Sequence, residues 1–401
     1  MAEIKPLRAW RYNESLAENI EVLTSPLFDV VSEKQIKELY KEPYNSIHLS
    51  VPAENNSYED TAKTLNDWKT SGIIVQDEIS SIYVYYQYFT LLEKNGVIEC
   101  RKGFICNVRL YDWDEKVIFR HENTNPDSVN DRIKLLEHTF LNVSPTHGLY
   151  SDPDYQLEEM MEQSIKNKIY ETTDYQGVRD VLSIISDKDI IKKFMEVIKD
   201  KQLIIADGHH RYESSLEYLR RQKKTDNLYS KDKAYNYHLI FLTNSFSKGL
   251  KVFPTHRILN NLKNFSAKNF IEKLDDFFYL KQIYNQCDLN SAIEKKKWSF
   301  GLILKNNIFV LTLKPELIAE ITWELPPEVK NLDLTVMHYF IIEKILGIPR
   351  EQQRNSEHIN YMVDFTKCFT NVMKKESQMA IITKAVTIEE IQKVCFSGFT
   401  L

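Results

Sequence analysis

An apolar run, Leu203-Ile204-Ile205-Ala206, passes without a spacer into Asp207-Gly208-His209-His210-Arg211, and Tyr212, Leu216 and Leu219 then recur at i, i+4 and i+7. The run reads as a buried strand and the recurrence as one face of a helix. Gly208 supplies the positive φ or close backbone approach that so sharp a junction needs. The start of a helix offers free N–H groups and the positive end of a dipole, and so forms an anion site. Arg211 suits bidentate grip of a phosphate, and Asp207 suits a divalent cation. The same residues also read as an Asp N-cap followed by exposed polar positions. Two consecutive histidines between a carboxylate and a guanidinium at a strand end favour a site.

Three further tracts carry chemistry. Lys116 to Arg120 reads as a strand that runs directly into His121-Glu122-Asn123-Thr124. Glu122 there could serve as a general base and Thr124 could donate to a phosphate. A solvated turn with a pairing histidine is the alternative. The zinc-protease pattern is excluded, because position 125 is Asn. On the next helix Asp131 and Arg132 either pair at the surface for little gain or send one charge to the site, while Ile133, Leu136 and Phe140 face inwards. Asp29, delivered by the turn dipeptide Ser25-Pro26, is a turn or capping residue or a functional carboxylate. Lys251-Val252-Phe253 leads to Pro254-Thr255-His256-Arg257. Read as a second strand end bearing His256 and Arg257, this is what a shared phosphate pocket needs, and a local turn is the plainer reading.

Asp207-Gly208-His209-His210-Arg211-Tyr212-Glu213 resembles the signature of a widespread microbial family long known only as a domain of unknown function, related in turn to free-serine kinases and to the ParB/sulfiredoxin fold. Pro6-Leu7-Arg8-Ala9-Trp10-Arg11-Tyr12-Asn13, Ser25-Pro26-Leu27-Phe28-Asp29-Val30, His121 to Thr124 with Asp131-Arg132, Ser144-Pro145 with Gly148-Leu149-Tyr150, and Pro254 to Arg257 match it too. The resemblance implies an α/β (α+β) chain with a ParB/sulfiredoxin-like core. It also implies a kinase that moves phosphate from ATP or ADP to free L-serine. In that mechanism Asp207 binds Mg²⁺, the default for hard oxygen ligands. His209, His210, Arg211 and the helix start, with Gly208, Thr124, His121 and Arg132, hold phosphates. Glu122 or Asp29 is the base, and His256 and Arg257 add charge. A ParB-like nucleotide switch acting through a protein partner is the alternative, and a phosphate-ester hydrolase uses the same residue types. Sulfiredoxin chemistry is rejected, because it needs a thiol where His209 stands. Relatives usually continue past Leu401 into a tail rich in Lys, Ser, Thr and Tyr.

With 57 acidic against 52 basic residues, net charge −5, the chain lacks the basic footprint of a nucleic-acid binder. Only 10 glycines occur, and neither the Walker nor the Rossmann pattern is present, so side chains and helix ends must hold any nucleotide. Cys100, Cys106, Cys287, Cys368 and Cys395 form no CxxC pair, which supports neither a zinc site nor a disulfide framework. No apolar run approaches the ~20 residues needed to span a bilayer. A cytoplasmic protein with nucleotide and amino-acid ligands is expected, and a homodimer stays open.

The remaining pattern predicts a helix over 58–69 and a core strand over 82–89. It predicts strands over 104–110 and 116–120 joined by a turn at 111–114. A turn follows at 144–148, a charged helical layer over 151–201, and a strand over 237–242. From about residue 265 a hairpin (298–304 with 308–313), a helix opened by Asp333 and closed by Gly347, and a Thr387/Glu390 capping box mark an accessory α+β domain. The expected division is 1–265 and 266–401.

Overall fold

The computed structural model describes residues 1–53, 57–91, 96–174, 176–353 and 356–399. Two compact units divide it, 1–251 and 252–399.

Nine strands form the main sheet of the first unit: β1 (Ile4–Lys5), β2 (Ile82–Leu91), β3 (Val97–Arg109), β4 (Ile118–Arg120), β5 (Thr146–Tyr150), β6 (Lys168–Thr173), β7 (Arg179–Ile185), β8 (Leu203–Asp207) and β9 (Tyr237–Asn244). Their order is β4-β8-β5-β9-β3-β2-β7-β6, with β1 paired to β3. The sheet is mixed: β8 runs parallel to β4 and antiparallel to β5, and β5 runs parallel to β9. The architecture is therefore α/β with a large mixed sheet.

Alternation along the strands sorts the two faces. Val84, Tyr86, Phe104, Cys106, Ile205, Ile240 and Leu242 point into one core. Two helices close over it: α1 (Lys188–Lys199), through Ile191, Phe194 and Ile198, and α2 (His209–Thr225), through Tyr212, Leu216 and Leu219. The periodic face predicted after Arg211 is thus the buried face of α2. A satellite cluster of Leu49, Leu65, Trp68 and Ile74 anchors a two-stranded sheet of Trp10–Tyr12 with Ile74–Gln76. Arg11 bonds Asp77 at 2.8 Å and Tyr170 at 2.9 Å, so the N-terminal motif pins this corner.

Several expectations are corrected. Strands β3 and β4 do not pair with each other, because β3 is central while β4 sits at the edge beside β8. Residues 146–150 form a strand rather than a turn, since β8 and β9 satisfy their backbone from both sides. The 151–201 layer contains β6 and β7 as well as helices. Phe140 ends the 126–139 helix in a left-handed conformation and is exposed rather than inward-facing.

The second unit carries a six-stranded antiparallel sheet of β10 (His256–Leu259), β11 (Phe278–Ile283), β12 (Ser299–Leu304), β13 (Asn307–Leu313), β14 (Ile359–Met362) and β15 (Met379–Ile382), in the order β11-β13-β12-β15-β10-β14. Residues 252–265 therefore belong with it and not with the first region, because β10 lies between β14 and β15. The predicted hairpin and capping box are present. Among the described residues no helix is long and apolar enough to cross a membrane. Thr400 and Leu401 lie outside the described residues.

Gly103 faces away from the core, and a Cβ there would stand 2.4 Å from the Leu242 carbonyl and 2.6 Å from the Phe241 ring. Gly103→Ala should therefore lower stability by about 1–3 kcal/mol through overpacking, read as a fall in denaturation midpoint.

Candidate functional site

Strand β8 ends at Asp207, and Gly208 turns the chain into α2 with φ +86°. A Cβ at Gly208 would lie 2.7 Å from Arg211 Nη2, so the guanidinium folds back over the space the glycine leaves. There Nη2 donates to Asp207 Oδ2 at 2.6 Å, and Nη1 donates to Ser144 Oγ at 3.3 Å and to the Pro145 carbonyl. Arg211 is buried, and its Nε has no hydrogen-bond partner among the described residues. The Asp207 side chain is 51% exposed. A fixed cation thus forms the floor and a solvated carboxylate the rim.

Because β4 and β8 are parallel neighbours, the loop after β4 arrives beside this turn. His121 Nδ1 donates to the Ile205 carbonyl at 2.9 Å, which fixes the proton on that nitrogen. Its ring stands edge-on to His209 with centroids 4.7 Å apart. Glu122 Oε1 lies 2.8 Å from His209 Nδ1, a charge contact out of line for a well-directed N–H bond. The amide of Asn125 donates to His210 Nε2 at 2.9 Å, so that nitrogen carries no proton. Contact with His209 holds the Glu122 carboxyl below its ordinary value, against the opposing effect of burial. Burial pushes the His121 imidazole below its ordinary value, and the field of His209 adds to this. Both shifts favour the ionised carboxylate and the neutral imidazole.

Asp207, Gly208, His209, His210, Arg211, His121 and Glu122 are therefore brought together. His209 is placed differently from expectation: its side chain is fully buried, so it reaches Glu122 rather than an open ligand position. Thr124 lines a cleft of about 440 Å³ with Trp113, Arg120, Glu213 and Glu217. Arg132 lines a cavity of about 40 Å³ with Ser144 and Arg211. It also bonds Asp131 and the Ser50 carbonyl, each at 2.7 Å, and covers the Phe28 ring at 4.0 Å. Asp29 is exposed in the adjoining turn.

His256 and Arg257 belong to the second unit, where they open β10 rather than close a strand. Pro254 within the preceding segment keeps that stretch out of a ladder. His256 Nδ1 accepts from the Thr383 amide at 3.2 Å. Arg257 bonds the Thr255 carbonyl and lies 5.0 Å over the Tyr361 ring. Burial lowers His256 to about 4 and Arg257 to about 10.

Sequence reasoning missed two histidines behind the turn. His238 is fully buried on β9, with Nε2 2.7 Å from Thr146 Oγ1 and Nδ1 2.8 Å from Ser215 Oγ on α2. His147 on β5 bonds Thr243 Oγ1 at 2.8 Å. A histidine inside a strand-like apolar run, as in Tyr237-His238-Leu239-Ile240, was the available signal for the first. The turn-like Pro145 and Gly148 masked the second. Among the described residues no group of three or more His, Cys, Asp or Glu is placed to hold a metal ion. Asp207 offers one carboxylate, which fits a cation that arrives with phosphate ligands of its own.

Fold and side chains together define a mixed α/β protein with a charged strand–turn–helix junction. The family model described as "Protein of unknown function (DUF1015)" matches residues 4–335, and the chain belongs to that family. Among curated proteins no relative matches. Among solved structures, the chain is similar to a conserved hypothetical protein from Pyrococcus furiosus, at 14% identity and TM-score 0.33 over 73% of this chain and 85% of that one. It is similar also to a free serine kinase in complex with AMP, at 13% identity and TM-score 0.34 over 72% and 82% of the two chains. A C-terminally truncated SbnI from Staphylococcus aureus matches at 11% identity and TM-score 0.32 over 73% and 78%.

Burial holds both His147 and His238 down to about 3. The unfolded chain binds these protons near pH 6.5 and the folded chain does not. Stability from the first unit is therefore full above about pH 6.5 and is lost as the pH falls towards 3, by roughly 1.4 kcal/mol per pH unit for each histidine. Melting temperature measured from pH 7 to pH 4 should fall, and His238→Asn should flatten the slope by about one proton.

Proposed function

We propose that this protein is a small-molecule kinase that moves the terminal phosphoryl group of ATP or ADP onto the hydroxyl of free L-serine. The observation that carries this reading is the meeting of two contacts at one helix start, Glu122 with His209 and Asp207 with Arg211 across Gly208. Phosphoryl transfer asks for little covalent chemistry from the protein. It needs alignment, charge neutralisation and a residue to take the hydroxyl proton.

In the proposed step the serine Oγ–phosphorus bond forms and the bond from phosphorus to the nucleotide oxygen breaks. The hydroxyl proton passes to Glu122, and the nucleotide leaves one phosphate shorter. Glu122 suits this role because its contact with His209 keeps it ionised, and His209 acts as a positioning residue. Arg211, with an unpartnered Nε, and the N–H groups opening α2 would hold phosphate oxygens. Thr124 and His210 would extend that cradle. Asp207 would hold Mg²⁺ through the oxygen that Arg211 does not take, and the ion would neutralise charge on the phosphates. His256 and Arg257, which lie in the second unit, enter this reading only through the motif's resemblance. Asp29 is the reserve candidate for the base. The choice of serine, and the placing of the core among ParB/sulfiredoxin-like folds, come from the motif's resemblance to free-serine kinases.

Phosphorus NMR of the protein with Mg²⁺, ATP or ADP, and L-serine should show phosphoserine. Glu122→Gln and Asp207→Asn should each slow its formation by roughly 100-fold or more. Wild-type rates in both variants would remove these roles. Phosphate release without serine would indicate a hydrolase, and nucleotide binding without any product a switch.

A further inference from the structure

Beyond the turn, a polar stripe crosses the sheet on the face opposite the core. Strand register places Asp207 opposite His147, and His147 opposite Phe241. On the same face Thr243 pairs with Gly103, Gly103 with Tyr85, Arg101 with Gln87, and Gln87 with Asp180. A face that packed against an apolar layer would not carry this run of charged and hydrogen-bonding side chains across six neighbouring strands.

Arg101 is the cation of the stripe. Its Nη1 donates to Gln87 Oε1 at 3.2 Å, and Gln87 Nε2 donates to Asp180 Oδ1 at 3.0 Å. Tyr85 Oη donates to the same Asp180 oxygen at 2.7 Å. The carboxylate is thus engaged by two neutral donors and reaches the arginine only through an amide. Arg101 Nε is buried and has no hydrogen-bond partner among the described residues. Among the described residues its ring contact is with Phe89, 5.9 Å from the guanidinium carbon. An arginine set by a relay, with an unused donor, is a fork awaiting an oxyanion.

Its position says which oxyanion. Three strand spacings across the sheet and four residues along the strand, from Ile105 to Arg101, separate the backbone of Asp207 from that of Arg101, roughly 19 Å in all, and the long arginine side chain shortens the gap between the charges. The field of Asp207 reaches Arg101, and those of Arg101 and Arg211 both fall on His147 between them. His147 is held neutral by burial and bonded to Thr243, so it forms an uncharged floor between two fixed cations. Arg211 already belongs to the phosphate end. The second cation, set back along the sheet, fits the far end of the acceptor.

We propose that Arg101 binds the α-carboxylate of the amino-acid acceptor, with Gln87 and Asp180 as residues that position it. The acceptor class is then a small hydroxylated carboxylate, and a simple alcohol is discriminated against. This rests on the kinase reading for the identity of the site, but ligand binding tests it without turnover.

Calorimetry on the full chain would use L-serine, its carboxylate-free analogue serinol, a panel of small carboxylates (glycine, L-alanine, L-threonine, glycerate), and ADP or ATP with Mg²⁺. L-Serine should bind measurably better than serinol. Arg101→Met should weaken L-serine roughly 10- to 100-fold, remove the preference over serinol and leave nucleotide affinity near wild type. Arg101→Lys, which keeps the charge and loses the fork, should fall between, and serves if the Met variant fails to fold. In turnover, Gln87→Leu should raise KM for serine more than it lowers kcat. Serine affinity unchanged in both arginine variants overturns the proposal, as does a loss confined to the nucleotide, which would make Arg101 a phosphate ligand. Wild-type protein that binds none of the carboxylates overturns it too. If serinol is phosphorylated as well as serine, the kinase reading stands and this proposal falls. If Arg101-dependent serine binding persists without phosphoryl transfer, the kinase reading falls and this proposal stands.

Discussion

The position of the Gly208 turn against the sheet is the constraint on which the first unit's chemistry depends. Gly208 adopts φ +86°, and its carbonyl accepts from the Tyr212 amide at 3.1 Å and from Thr146 Oγ1 at 3.4 Å. Thr146 is in turn joined through His238 to Ser215, one turn further along α2 than Arg211. Strand β5, strand β9 and helix α2 are thereby tied at one point, inside a region where an unpaired polar group would be costly. Tyr212 adds a second tie, since its hydroxyl donates to the Tyr111 carbonyl at 2.9 Å and accepts from the Tyr111 amide at 3.0 Å. A small rotation of α2 would break both ties, so the helix start is held where Arg211 meets Asp207.

This explains why the motif was legible and its support was not. Asp207 to Arg211 are contiguous, and an apolar strand that runs into a periodic helix can be read from spacing alone. Most of the support comes from residues far away in sequence, from Thr146, 62 positions from Gly208, to Tyr111, 101 positions from Tyr212, whose signals point elsewhere. Pro145 and Gly148 mark a turn on local grounds, yet Gly148 is required because a side chain there would collide with Ile240 at 2.7 Å. Its role is close strand packing, and the backbone pairing of Thr146 to Tyr150 with two neighbours overrides local preference. Strands β6 and β7 were hidden for a different reason: they lie at the sheet margin, where charges such as Lys168, Glu171 and Arg179 are tolerated and blunt the edge. The same logic placed the domain division too late, since His256 to Leu259 follows Pro254 and looks terminal until its partners in β14 and β15 are seen.

The distribution of charge follows from burial. Glu122 and Asp207 keep half their side-chain surface in water, where ionisation costs little and each can still turn towards a ligand. The arginine that meets Asp207 is buried, and desolvation strengthens its pull on an anion. An exposed lysine in its place would be screened and mobile. Burial keeps His121, His147 and His238 below their ordinary range, so these three histidines favour the neutral form. The buried cation beside Asp207 is the Arg211 guanidinium.

Arg211 and Arg101 differ in one respect that bears on function. Arg211 meets a carboxylate directly, so under the proposed reading a phosphate would share it with Asp207, and an ion held by Asp207 would free the arginine for the phosphate. The coupling gives the two ligands a reason to bind together. Arg101 meets its carboxylate only through Gln87, so it is oriented without being neutralised. A guanidinium held this way loses little side-chain entropy when an oxyanion arrives. In the proposed site one arginine would respond to a cation and the other would stay constant, which would separate the requirements of the phosphate end from those of the rest of the stripe.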